Sequence, residues 1–169
     1  MPPAITTRRL AAVALTAALV TAPAATAGTP APPSGVREQI DHPVFLLSLP
    51  ADDGAWTLWS GTLEGDVWWI LSSPRARNIG GGPCVAKPPV LTVCFDGRVG
   101  RARSVVVGRV KPRVATVEAV DGSGRRLRSV RRGGAYLAVA RGTPKKVTVV
   151  ARDRGGDVVA RRVLDDRRP

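Results

Sequence analysis

The chain has 169 residues, of which 26 are basic and 13 acidic, giving a formal net charge of +13. Its length suits one domain, or two small ones sharing a core, and 44% hydrophobic with 23% charged residues is a globular composition, not a disordered one. A single histidine beside two cysteines all but excludes a multi-ligand zinc or redox-metal site, so no metal or cofactor is expected.

Arg8 and Arg9 precede an eleven-residue apolar run, residues 10–20, which is too short to span a bilayer comfortably. Pro23 then breaks any helix, and Ala25-Thr26-Ala27 supplies the small residues a signal peptidase accepts. These three parts predict a secretory signal over residues 1–27, with a retained membrane anchor as the alternative. Cleavage would leave a secreted chain of 142 residues that starts at Gly28 and carries no stable membrane span. Residues 28–41 read as a proline-rich linker, extended and mobile at its start, with ordered structure expected from His42-Pro43.

From there, short apolar runs alternate with turn clusters. Strands are predicted over residues 44–49, 56–63 and 67–72, the last two joined at the hairpin signal Glu64-Gly65-Asp66. Residues 73–83, which include Gly80-Gly81-Gly82, read as irregular, and 90–95 as a further strand. Beyond Arg98 the pattern predicts strands over 105–110, 114–120, 126–130, 136–140, 147–152 and 158–164. Helical spacing fits residues 157–168 poorly, so the last segment is assigned to a strand. Turns every eight to twelve residues predict an all-β fold. Its expected form is an Ig-like β-sandwich, with an N-terminal β portion over 42–97 and a basic Ig-like β portion over 98–169.

Trp56, Trp59, Trp68 and Trp69 fall within one predicted hairpin. Exposed indoles could stack on sugars, but Trp68 and Trp69 are adjacent and must face opposite sides of a strand. Core packing is therefore the favoured reading. Cys84 and Cys94 lie in an exported chain with no Cys-x-x-Cys spacing, so a structural disulfide is expected between them.

Charge divides sharply along the chain. Residues 28–97 hold four basic and seven acidic side chains, whereas residues 98–169 hold twenty basic and six acidic ones. Such a field attracts anionic partners. Arg125, Arg126, Arg128, Arg131 and Arg132 form the densest cluster and are the predicted polyanion-binding residues. On a strand, Arg126, Arg128 and Val130 share one face, and Leu127, Ser129 and Arg131 the other. A simply solvated basic face is the competing reading. Nucleic acid is disfavoured as a ligand, because Tyr136 is the only aromatic residue available to stack among these arginines.

No catalytic residue is assigned. His42 is the lone imidazole and precedes a proline, no Gly-x-Ser-x-Gly elbow is present, and the triple glycine is not followed by a Lys-Ser/Thr helix start. The alternative to a non-catalytic module is a small secreted hydrolase using carboxylates such as Glu64 or Asp66.

The C-terminal half carries a recurrent pattern. It runs from Val107-Gly108-Arg109-Val110-Lys111-Pro112-Arg113-Val114 through Asp121-Gly122 and Gly134-Ala135-Tyr136-Leu137-Ala138-Val139 to Val149-Val150-Ala151-Arg152-Asp153 with Gly156. Over about residues 105–164 this resembles the β-sandwich portion of uncharacterised exported proteins of high-GC actinomycetes. The resemblance implies an exported Ig-like module and carries over no catalytic residues. This chain departs from it at residues 125–132, which are more basic. The expected role is a secreted, non-catalytic extracellular or envelope-associated interaction module that binds an anionic cell-surface polymer. Nothing in the pattern sets an oligomeric state.

Processing after Ala27 is directly testable. Mass analysis of the exported protein is expected to give an N-terminus at Gly28, and an intact Met1 in a membrane fraction would show a retained anchor.

Overall fold

The computed structural model describes residues 29–52, 54–73, 80–85, 87, 89–99 and 103–165, so the expected signal segment 1–27 lies outside the described residues. One short helix, α1 (Ser34–Arg37), is followed by β1 (Asp41–Ala51), β2 (Gly54–Leu63), β3 (Asp66–Ser72), β4 (Gly80–Pro83) and β5 (Leu91–Val99). Then come β6 (Arg103–Val110), β7 (Thr116–Asp121), β8 (Arg128–Arg132), β9 (Ala135–Arg141), β10 (Lys146–Arg152) and β11 (Val158–Asp165). No helix among the described residues is long and apolar enough to cross a membrane.

The chain is all-β, as its turn spacing predicts, and each predicted strand has its counterpart. β4 is the addition. It pairs with β3 through Trp69↔Gly82 and Ile70↔Gly81, inside the stretch read as irregular. A Cβ on Gly81 would lie 2.2 Å from the Trp69 carbonyl oxygen and 2.5 Å from Ile70 Cδ1, so only glycine can lie this close. A strand of glycines has no side-chain alternation, which is why sequence patterning does not reveal it.

Order also begins earlier than residue 42. The proline-rich segment ends in α1, and Val36 and Ile40 are buried against Trp59 and Ile70, with Phe45, Leu63 and Trp68 around them. Two apolar side chains in an otherwise polar stretch suffice to dock it, because they cover the outward indole of Trp59. Each such indole removes about 200 Å² from water, worth up to about 5 kcal/mol.

The strands of the described residues form three antiparallel sheets, ordered β1-β2-β3-β4, β5-β6-β9-β8 and β11-β10-β7. The second sheet is central, because its two faces feed two different cores. Val105, Val107, Ala135, Leu137 and Val139 meet Leu47, Leu49, Trp56, Leu58, Trp69 and Leu71 of the N-terminal sheet. Val106, Tyr136, Ala138 and Ala140 meet Val117, Ala119, Val147, Val149 and Ala151 of the third sheet. Residues 135–140 are accordingly all buried, a continuous apolar run rather than an alternating one. Trp68 and Trp69 do face opposite sides. Trp69 enters the inter-sheet core, while Trp68 packs under α1. The sandwich-like packing is thus three-layered, and β5, which begins before residue 98, belongs to the central sheet.

Two tight hairpins hold this arrangement. Glu64 and Gly65 (φ 53° and 87°) connect β2 to β3, and Gly133 and Gly134 (φ 55° and 87°) connect β8 to β9; both are two-residue loops with positive φ at each position. In the central sheet Tyr136 lies across Gly108, where a Cβ would sit 2.5 Å from the phenol oxygen, and its hydroxyl donates to the Thr92 carbonyl at 3.2 Å. Burial first, and the charge of Asp96 second, push the phenol above its ordinary range, so it stays protonated and able to donate.

Cys84 and Cys94 form the expected disulfide, with a Cα–Cα distance of 5.0 Å. Cys94 is the extra residue of a β-bulge, since Val93 pairs with Gly108 and Phe95 with Val107. Cys84 follows β4, so the bridge ties the N-terminal sheet to the edge of the central one. Removing it as the Cys84→Ala/Cys94→Ala pair is expected to cost about 3 kcal/mol in denaturant unfolding, from the entropy of a short closed loop. Both thiols should resist alkylation in the native protein until a reductant is added.

Candidate anion-binding cleft

Side-chain alternation on the central sheet decides where its arginines go. Arg103, Val105, Val107 and Arg109 share one face of β6, the face that packs on the N-terminal sheet. Arginines cannot occupy the packed middle of that layer, so they stand at its two ends. At one end Arg109 lies 5.6 Å from the Trp69 ring centre and donates to the Val85 carbonyl at 2.9 Å. At the other end Arg103 of β6 pairs in register with Arg141 of β9, beside Arg128 of β8.

That second end is a cleft of about 250 Å³ lined by Ala51, Asp52, Arg103, Arg125, Arg126, Leu127, Arg128, Val139, Ala140 and Arg141. Five arginines and one aspartate line it, together with the buried residues Leu127, Val139 and Ala140. Asp52 comes from the β1–β2 hairpin and accepts from two arginines: Arg128 Nη2 reaches Oδ1 at 2.9 Å, and Arg141 Nη2 reaches Oδ2. Arg128 also donates to the Pro50 carbonyl at 3.3 Å, which holds the hairpin against β8.

Arg125 and Arg126 are set by the turn that enters β8. Asp121 Oδ1 accepts from the Ser123 hydroxyl at 2.6 Å and from the backbone N–H of Ser123 and Arg125, both at 3.0 Å. Its Oδ2 accepts from Arg125 Nε at 3.0 Å. An aspartate followed by Gly-Ser-Gly closes such a turn with its own side chain. Arg125 Nη2 donates onward to the Arg141 carbonyl at 3.4 Å, and Arg126 pairs with Glu118 at 3.4 Å.

Of the five arginines singled out in the sequence, the structure brings Arg125, Arg126 and Arg128 into the cleft. Arg131 and Arg132 lie farther along β8, Arg132 roughly 13 Å from Arg128 at strand rise. Arg131 is half-buried on the opposite face, with its Nε lacking a hydrogen-bond partner. Arg103, Arg141 and Asp52 are cleft residues that sequence reasoning did not single out. Arg103 and Arg141 were detectable as charges bounding the apolar runs of two strands; Asp52 carried no such signal, because its approach depends on sheet stacking.

Other chemistry is spread out. A second cleft of about 450 Å³ opens between β5, β6 and the β10–β11 side, lined in part by Asp96, Arg98, Ser104, Val163 and Asp165. Glu64 and Asp66 stand exposed at the β2–β3 turn, and His42, at φ 49°, sits exposed in the irregular start of β1. Among the described residues no three His, Cys, Asp or Glu side chains gather in a way that could hold a metal ion. No family model, curated protein or solved structure matches the chain.

The Asp121 turn makes a pH prediction. The Ser123 hydroxyl, aided by the two backbone N–H groups and Arg125, holds the Asp121 carboxyl below its ordinary value of 3.8, against the opposing cost of desolvation. The folded state is therefore stabilised above about pH 4, and this contribution is lost as pH falls through and below 3.8. Asp121→Asn is expected to flatten the acid limb of stability against pH, measured by urea unfolding between pH 6 and about pH 2.5.

Proposed function

We propose that this protein is a secreted, non-catalytic interaction module of the extracellular space or cell envelope, and that its basic half binds anionic polymers. The observation that carries this reading is the gathering of five arginines around one cleft, with buried apolar residues beneath them. Guanidinium groups over a low-dielectric floor favour oxyanions more strongly than the same charges spread in water. Export is supported by the signal pattern of residues 1–27 and by the Cys84–Cys94 bridge. A kinship with the exported β-sandwich proteins that the C-terminal pattern resembles agrees with the same reading, as does an Ig-like origin for the two C-terminal sheets.

A small secreted hydrolase is the weaker alternative. Glu64 and Asp66 stand at an exposed turn, and the carboxylates of the second cleft are interleaved with Arg98 and apolar side chains.

Binding through several arginines releases counterions, so affinity for heparin, duplex DNA and polyphosphate is expected to fall log-linearly with salt. Neutralising Arg126, Arg128, Arg131 and Arg132 together is expected to weaken binding to all three and to flatten the log–log slope by up to about 4. Absence of binding at low salt would leave the arginines as a solvated face and overturn the proposal.

A further inference from the structure

We infer that the Arg103–Arg125–Arg126–Arg128–Arg141 cleft is a discrete site for one oxyanion-bearing repeat of an anionic polymer, and that Asp52 occupies part of it as an internal stand-in. This rests on the polyanion reading and adds a location, a ligand size and a built-in competitor. Asp52 supplies the first argument. Its two carboxylate oxygens are taken by guanidinium groups from two different strands, Arg128 on β8 and Arg141 on β9. The two arginines are therefore already spaced to grip a single oxyanion from both sides.

Room for a larger group is the second argument. At about 250 Å³ the cleft falls just below the range typical of drug-sized ligands, and so suits one sugar- or polyol-sized unit rather than an oligomer. The third argument is preorganisation. Asp121 and Glu118 hold Arg125 and Arg126 from behind, and each ion pair leaves further guanidinium N–H donors for a ligand. Arginines fixed before binding lose less side-chain freedom on capture than arginines waving in solvent.

Phosphate and carboxylate present the same oxyanion chemistry to these arginines. The sources are separated by titrating two short probes, tripolyphosphate and trigalacturonate, in parallel. If the cleft is the site, Asp52→Asn, which removes the competitor's negative charge and weakens its hold on Arg128 and Arg141, is expected to tighten binding of at least one probe by about fivefold or more. Asp157→Asn, which removes one acid from the exposed β10–β11 turn, is the charge-matched control and should change affinity less than about twofold. Conversely, Arg128→Gln/Arg141→Gln is expected to weaken binding at least about tenfold, against less than about threefold for Arg161→Gln/Arg162→Gln on the exposed part of β11.

A gain of affinity in Asp52→Asn cannot come from misfolding, so that arm stands even if the double arginine variant is unstable. Equal effects in cleft and control variants would overturn the discrete site while leaving charge-driven polymer binding intact. Failure of wild-type protein to bind long polyphosphate at low salt would overturn both.

Discussion

The central sheet is covered on both faces, and most of the structure follows from that. A sheet packed on one side can place charge on the other. β6 and β9 have no free side, because the N-terminal sheet covers one face and β7, β10 and β11 the other. Their middles must be apolar, and where strands crowd they must also be small, as at Ala138, Ala140 and Gly108. Charge in these strands is displaced to their ends. That displacement places Arg103 and Arg141 side by side at one rim, and Arg109 over Trp69 at the other.

The rim then becomes a site because neighbouring turns project into it. The β1–β2 hairpin reaches across from the N-terminal sheet and sets Asp52 between Arg128 and Arg141. The Asp121 turn reaches from the third sheet and holds Arg125. All three layers therefore contribute to one cleft, although most of its charge comes from the basic half of the chain. Exposed pairs of this kind add little to stability. Their effect is to orient the guanidinium groups around the cleft.

Stapling of the layers differs from edge to edge. At the β8 side, Leu127 N–H donates to the Ala119 carbonyl and Ser129 Oγ to the Val117 carbonyl, so the second and third sheets are hydrogen-bonded across a corner. At the β5 side the N-terminal sheet is held by the Cys84–Cys94 bridge beside a β-bulge. Beneath the outer face, α1 covers Trp59 with Val36 and Ile40.

Much of this was legible in the sequence by itself. Turn residues at regular spacing marked the strands, Glu64-Gly65-Asp66 marked a tight hairpin, and the cysteine pair marked its own bridge. Period-two alternation also separated Arg128 and Val130 from Leu127, Ser129 and Arg131, the division the cores display. Local rules reach this far because a turn or a strand face depends on residues a few positions apart. The glycine strand β4 and the docked α1 escaped, since their partners, Trp69, Ile70 and Trp59, lie ten or more residues away in sequence. The cleft escaped for the same reason. Linear density pointed to residues 125–132, whereas the site draws Arg103 and Arg141 from strands paired across the central sheet and Asp52 from another layer. Composition made the protein basic and the spacing of its turns made it all-β; only the stacking of three sheets decided which arginines meet, because burial on both faces leaves charge no place but the rim.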